Sequence, residues 1–239
     1  MDQAKSILSG MVKRANIFLF FFAVVSVTEI VSVVEQALSR DWQLVHEIAK
    51  PLIMLSLVGY YLSCVPQRNN VFVKAMFFCW TGDVLLMFQA EDEVFFMLGL
   101  LAFLIGHVLY IVSYRQLRWK VATKELLATQ KIRFIFPIVL AGTGLLVVLF
   151  PTLGPLTIPV IIYSVVLMFM VINALFRYGR TTPDSLWLVV AGASLFMISD
   201  SILAVNKFYS PIGYSGPLIM LTYILGQYLI VEGVRRHSP

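Results

Sequence analysis

Apolar residues run along this chain in long blocks separated by short polar stretches. There is neither the two-residue alternation of a half-buried strand nor the single apolar stripe of a surface helix. A helix that crosses a bilayer needs about 20 mostly apolar residues. Eight blocks meet that need, near 15–34, 47–65, 71–89, 94–114, 133–150, 155–176, 186–206 and 214–234. In hydrocarbon the backbone must satisfy its own hydrogen bonds, so only helices or a closed barrel span it, and barrel alternation is absent. The pattern predicts an all-α, polytopic membrane protein with about eight transmembrane helices, forming one transmembrane domain over 1–239.

Composition agrees with the pattern. The 239 residues are 59% hydrophobic and 13% charged, against about 25% charged in a soluble domain. Lys13 and Arg14 precede a long apolar run with no small-residue cleavage site, which reads as a first membrane helix and not as a signal peptide. Cys64 and Cys79 both fall in predicted spans, and two Cys with three His give no metal-ligand spacing. No structural disulfide, metal or cofactor is expected.

The net charge of +5 is distributed for topology and not for nucleic acid. With the N-terminus inside, Lys5, Lys13, Arg14, Arg68 and Lys74 lie on the cytoplasmic side. So do Arg115, Arg118, Lys120, Lys124, Lys131, Arg133, Arg177, Arg180, Arg235 and Arg236. Only Arg40, Lys50 and Lys207 fall on the other side, a strong positive-inside bias. It predicts an even number of spans with both termini cytoplasmic, and the acidic run Glu91-Asp92-Glu93 in a solvated outer loop. A compact chain with short loops favours a bacterial inner membrane over the endoplasmic reticulum.

The two halves, about 15–115 and 133–235, resemble each other. Asp83 lies in CWTGDVLLMF (79–88) of span 3 and Asp200 in FMISDSILAV (196–205) of span 7. In the following spans LIGHVLYIV (104–112) parallels YILGQYLIV (223–231), setting His107 against Gln227. Four spans per half imply two parallel repeats related by an axis along the membrane normal. Asp83 then lies roughly 18 Å from the inner end of its span at 1.5 Å per residue.

A carboxylate within hydrocarbon costs about 3 kcal/mol on insertion scales, so a repeat-matched pair is the strongest sign of chemistry in the chain. Glu29 in span 1 either joins this cluster or pairs with a nearby cation. His107 could carry a proton or donate to a substrate, although a helical His is often a satisfied core residue. Asn173, Tyr163, Tyr110, Tyr223 and Gln227 can all make interhelical hydrogen bonds, and Tyr223 and Gln227 are kept as candidate substrate contacts. Lys50 stands before Pro51, which suits the start of span 2, where proline costs no helix bond. Lys207 lies seven residues beyond Asp200, with Asn206 beside it. Lys50, Asn206 and Lys207 could together hold an anionic head group. The AGAS run (191–194) and Gly142/Gly144 read as close helix packing. The G-x-S-x-G, H-E-x-x-H and phosphate-loop motifs are absent.

The stretches KPLIM (50–54), GDVLL (82–86), GLLAFLIGHVLY (99–110), ISDSILAVNKF (198–208) and YILGQYL (223–229) resemble the lysoplasmalogenase, or YhhN-like, family, from about 45 to 231. The resemblance implies a multi-span membrane hydrolase acting on the vinyl-ether bond of lysoplasmalogens. The products would be a fatty aldehyde and a glycerophospho-base. The family's two essential aspartates would fall on Asp83 and Asp200, and the partner is a vinyl-ether lysophospholipid in the membrane.

The chemistry suits a carboxyl pair. Protonation at the carbon beta to oxygen gives an oxocarbenium ion, and water captures it as a hemiacetal. Collapse then yields aldehyde and alcohol. One carboxyl supplies the proton while the other stabilises the cation and deprotonates water, as in glycoside hydrolysis. The competing expectation is a small-molecule or lipid transporter built from two four-helix repeats.

Overall fold

The computed structural model describes residues 2–124 and 126–237, with the backbone alone for 2–9. The side chain of Lys5, counted above among the inner-side cations, therefore lies outside the described residues. Among the described residues eight α-helices follow one another: α1 (Asp2–Ala37), α2 (Gln43–Cys64), α3 (Asn70–Met87), α4 (Glu93–Gln116), α5 (Ala128–Leu149), α6 (Thr157–Leu175), α7 (Pro183–Phe208) and α8 (Ser215–Arg235). Two single turns of 3₁₀ helix, Phe150–Thr152 and Gly154–Leu156, join α5 to α6. Among the described residues, seven helices are long and apolar enough to cross a membrane. The other, α2, carries His46, Glu47 and Lys50 in its first turns. Phe20, Val147 and Ile158 are 70–74% exposed, an outer surface suited to lipid and costly in water. The protein is a polytopic, all-α membrane protein.

The chain divides into two compact units, Met1–Gly106 and His107–Pro239, with the division inside α4. In the first unit α1 packs on α2 and α2 on α3 around Ile53, Met54, Leu57, Phe72 and Met76, all fully buried. The start of α2 corrects one expectation. The helix begins at Gln43, so Pro51 lies in its interior and removes a backbone bond to the preceding turn. The first turns form nonetheless, because Gln43 Nε2 donates to Glu47 Oε1 at 2.9 Å and His46 docks on α1.

Asn69 caps α3 by accepting from the Phe72 N–H at 2.9 Å. The α3 and α4 helices approach through glycine. A Cβ at Gly82 would lie 2.5 Å from the Phe103 ring, and one at Gly106 would lie 2.9 Å from Cys79 Sγ.

In the second unit α7 and α8 make the tightest helix pair. A Cβ at Gly192 would sit 2.6 Å from the Gly226 carbonyl oxygen, and one at Gly233 would sit 2.7 Å from the Val189 side chain. The AGAS run therefore packs as expected. Gly142 likewise faces Met168, but Gly144 faces open space and makes no close contact. With α5 largely exposed, only one face of that helix meets the unit.

One end of this unit is fastened by Arg177, which has no exposed surface. Its guanidinium donates to Ser185 Oγ at 2.8 Å, Thr181 Oγ1 at 3.3 Å, Ser185 O at 3.4 Å and Leu117 O at 3.3 Å. It also lies 5.9 Å from the centre of the Tyr114 ring. Ser185 Oγ passes the network on to the Gly233 carbonyl at 2.6 Å. One cation thus ties α6, α7, α8 and the segment after α4.

Candidate active site

Asp200 lies on α7, seventeen residues beyond Pro183, or about 26 Å along the axis. It is half-buried. The Tyr163 hydroxyl, projecting from α6, donates to Asp200 Oδ2 at 2.5 Å. A hydroxyl bonded to a carboxylate is among the stronger neutral-donor contacts a protein makes and fixes the carboxylate's orientation.

Behind this pair stands an aromatic wall. The His107 ring, fully buried, has its centre 5.3 Å from that of Tyr163 and meets Phe196 edge-on at 4.7 Å. Phe196, one turn before Asp200 on α7, meets Tyr223 edge to face at 5.5 Å. Such tilted and edge-on arrangements are the favoured ones for aromatic rings. The structure thus gathers three sequence-predicted residues, Asp200, His107 and Tyr223, through Tyr163, read from the sequence only as an interhelical hydrogen-bond donor, and Phe196, which the sequence did not single out.

Gln227 is also fully buried, and Tyr110 donates to its Oε1 at 2.9 Å while stacking on Tyr114 at 5.9 Å. The candidate substrate contacts at the end of α7 stand differently. Asn206 Oδ1 accepts from the Ile212 N–H at 2.9 Å, which shapes the turn into α8, and Lys207 beside it is exposed.

In the first unit Asp83 is 3% exposed, directly after the glycine that lets Phe103 lie against α3. Glu29 is fully buried with Oε1 2.7 Å from His46 Nδ1. Of the two readings of Glu29, this contact matches pairing with a nearby group, a brace between α1 and α2. Lys50 is half-buried on α2. Among the described residues no group of three His, Cys, Asp or Glu side chains could hold a metal ion.

Carboxylates and a histidine held inside apolar helices define a class: polytopic membrane proteins whose ionisable groups sit within the spans. Residues 45–234 match the YhhN family, and the chain belongs to it. The human lysoplasmalogenase TMEM86A is 31% identical over 185 residues, which cover 75% of this chain and 71% of that protein. The lysoplasmalogenase of Mycobacterium bovis is 32% identical over 171 residues, 71% of this chain and 62% of that one. The human lysoplasmalogenase TMEM86B is 28% identical over 194 residues, with 80% and 76% covered. No solved structure matches.

Proposed function

We propose that this protein is a lysoplasmalogenase, an ether hydrolase that cleaves the vinyl-ether bond of a lysoplasmalogen, with Asp83 and Asp200 as its acid–base pair. The observation that carries the reading is the family match over 45–234, a range that contains both aspartates, together with the similarity to relatives named for this activity.

The overall reaction adds one water across the bond, R–CH=CH–O–R′ + H2O giving R–CH2–CHO and HO–R′. One aspartic acid delivers its proton to the β carbon, and the C=C electron pair forms the new C–H bond. The other carboxylate lies near the oxocarbenium ion, stabilises it, and takes a proton from the attacking water. Positioned acid–base groups contribute typically ~10²–10⁴-fold, and electrostatic stabilisation of the cation adds to that.

Tyr163 acts through Asp200 as a positioning residue. The ring wall of His107, Phe196 and Tyr223 supports this role, because it limits the ways in which the Tyr163 and Asp200 side chains can turn. Lys50 and Lys207 hold the phosphate of the head group, and the termini face the cytoplasm.

The test is aldehyde release by purified protein in detergent from an alkenyl-lysophospholipid. The alkyl-ether and acyl analogues serve as controls, with Asp83→Asn and Asp200→Asn alongside. Aldehyde from the vinyl ether alone, lost in both variants, is the expected result. No aldehyde from folded, monodisperse protein overturns the assignment and returns the weight to transport.

A further inference from the structure

The end of the second unit that Arg177 fastens carries a cleft of about 210 Å³. It is lined by Arg118, Lys131, Arg180, Tyr178, Phe176 and Leu175, among others. We propose that this cleft binds the phosphate of an anionic phospholipid in the leaflet that the basic loops face.

The wall of the cleft is built, not incidental. The segment after α4 is pinned to the turn after α6 by the Trp119 N–H on the Arg180 carbonyl at 2.8 Å and the Thr123 N–H on the Gly179 carbonyl at 2.7 Å. The Arg180 guanidinium returns a bond to the Lys120 carbonyl at 3.1 Å. Gly179 has φ +66°, and a Cβ there would lie 1.8 Å from the Lys124 carbonyl oxygen. Only glycine allows the two segments to close in this way.

The lining charges are of one sign. Three cations and no carboxylate line the cleft among the described residues. Arg118 gives one N–H to the Asn173 carbonyl at 3.1 Å, while its buried Nε meets no acceptor among the described residues. Burial, with Arg115 and Arg180 nearby, holds its guanidinium down to about 10. A bound anion would relieve both the desolvation and the mutual repulsion.

Size and place select the anion. The volume is below the few hundred Å³ of a drug-sized site, which suits a phosphate group and not a whole amphiphile. The cleft sits where α6 ends, and Phe176, 37% exposed, offers an apolar surface beside the cations. A free ion needs no such surface, whereas a lipid brings its chain to it. Basic pockets at span ends on the cytoplasmic side take anionic head groups by this combination.

This is not the phosphate of a reacting substrate. Asp200 lies about 26 Å along α7 from Pro183, which follows the cleft-lining Arg180 by three residues, and a glycerol unit puts only about 6 Å between a phosphate and an ether oxygen at ordinary bond lengths. The inference stands apart from the proposed hydrolase activity.

The full chain in detergent micelles is titrated with dioleoyl phosphatidylglycerol, dioleoyl phosphatidylcholine and inorganic phosphate, with native mass spectrometry as the readout. Lys131→Gln is the informative variant, since that side chain is exposed and makes no hydrogen bond among the described residues. Arg118→Gln is the second, and Arg133→Gln, an exposed cation on the same helix outside the cleft lining, is the control. The anionic lipid should bind at least about tenfold more tightly than the zwitterionic one. Lys131→Gln should weaken it about fivefold, the effect of one surface cation, Arg118→Gln by at least as much, and Arg133→Gln by less than about twofold. Equal retention of both lipids overturns the proposal. So does an Arg133→Gln loss equal to that of Lys131→Gln, which would mean diffuse attraction. Displacement of the lipid by inorganic phosphate at matching affinity would make the cleft a site for the free ion.

Discussion

Removing the Tyr163 hydroxyl tests whether Asp200 works as a positioned carboxylate. Tyr163 is 7% exposed, and its hydroxyl donates to Asp200 Oδ2 at 2.5 Å. Tyr163→Phe keeps the ring that packs 5.3 Å from His107 and deletes only the donor. A hydrogen bond to a charged group contributes about 1.5–3 kcal/mol. If that energy is spent orienting the reacting carboxylate, aldehyde release should fall roughly 10- to 150-fold at 1.36 kcal/mol per decade. The loss should appear in kcat with KM little changed, because the bond touches the acid–base group and not the head group. Asp200→Asn alone should cost ~10² or more. The double variant, Tyr163→Phe with Asp200→Asn, should then be no slower than Asp200→Asn, since the hydroxyl has no carboxylate left to orient. The assay is aldehyde release from the vinyl-ether lysolipid, with thermal unfolding of each variant recorded alongside. A Tyr163→Phe protein within about threefold of the parent, or losses that multiply in the double variant, would refute the reasoning.

Other outcomes follow from the packing and the charges. Gly82→Ala brings a Cβ to 2.5 Å from the Phe103 ring and Gly192→Ala brings one to 2.6 Å from the Gly226 carbonyl. The first should cost about 1–3 kcal/mol and recover with Phe103→Leu, while the second should cost more, because backbone cannot turn aside; thermal unfolding in detergent decides the order. Arg177→Ala leaves four hydrogen bonds unmade at a fully buried site and should destabilise by about 3–5 kcal/mol, lowering the unfolding midpoint by roughly 10 °C; a drop of under 2 °C would contradict that role. His237, whose Nδ1 lies 2.8 Å from Thr181 Oγ1, is held down to about 4 by burial and then by the Arg177 charge. Between about 4 and its ordinary 6.5 the unfolded chain binds the extra proton and the folded one does not. Its contribution is therefore complete above about pH 6.5 and lost as pH falls toward 4, and His237→Gln should flatten the fall in unfolding midpoint over that range.

The helices were legible because each is a block of apolar residues of spanning length, and Asp83 and Asp200 stood out because a carboxylate in such a block is rare and costly. The partner of Tyr163, read only as an interhelical donor, was not legible. α6 is apolar on every side, so periodicity cannot say which face meets α7, and a tyrosine there looks like any interhelical donor. Pro51 misled for a local reason: the proline rule marks a helix start where nothing opposes it, but Gln43, His46 and Glu47 extend α2 by two further turns. Asn206 drew notice through its neighbour Lys207, and the bond its Oδ1 accepts from the Ile212 N–H across the turn into α8 had no sequence signal. Gly144 carried the same small-residue signal as Gly142, but α5 turns only one of those two positions toward a neighbour.

Arg177 shows why a charge count cannot foresee a structural cation. In the sequence it is one of many basic residues that set orientation, and that reading needs it only to be near a span end. The structure buries it completely and uses it to join the end of α6 to the first turn of α7. That joint has a consequence at the far end. Tyr163 lies twelve residues before Leu175 on α6 and Asp200 seventeen after Pro183 on α7, or about 18 and 26 Å from the turn they share. The two helices are neighbours joined by a short turn, so their stagger is set there. A slip of one residue shifts a side chain about 1.5 Å along the axis and turns it about 100°, enough to break a 2.5 Å bond between Tyr163 and Asp200. Arg177 thus fastens the end of α6 to the start of α7 about 20 Å or more along the helices from the proposed catalytic carboxylate, so a loosened joint there should be felt at the bond between Tyr163 and Asp200.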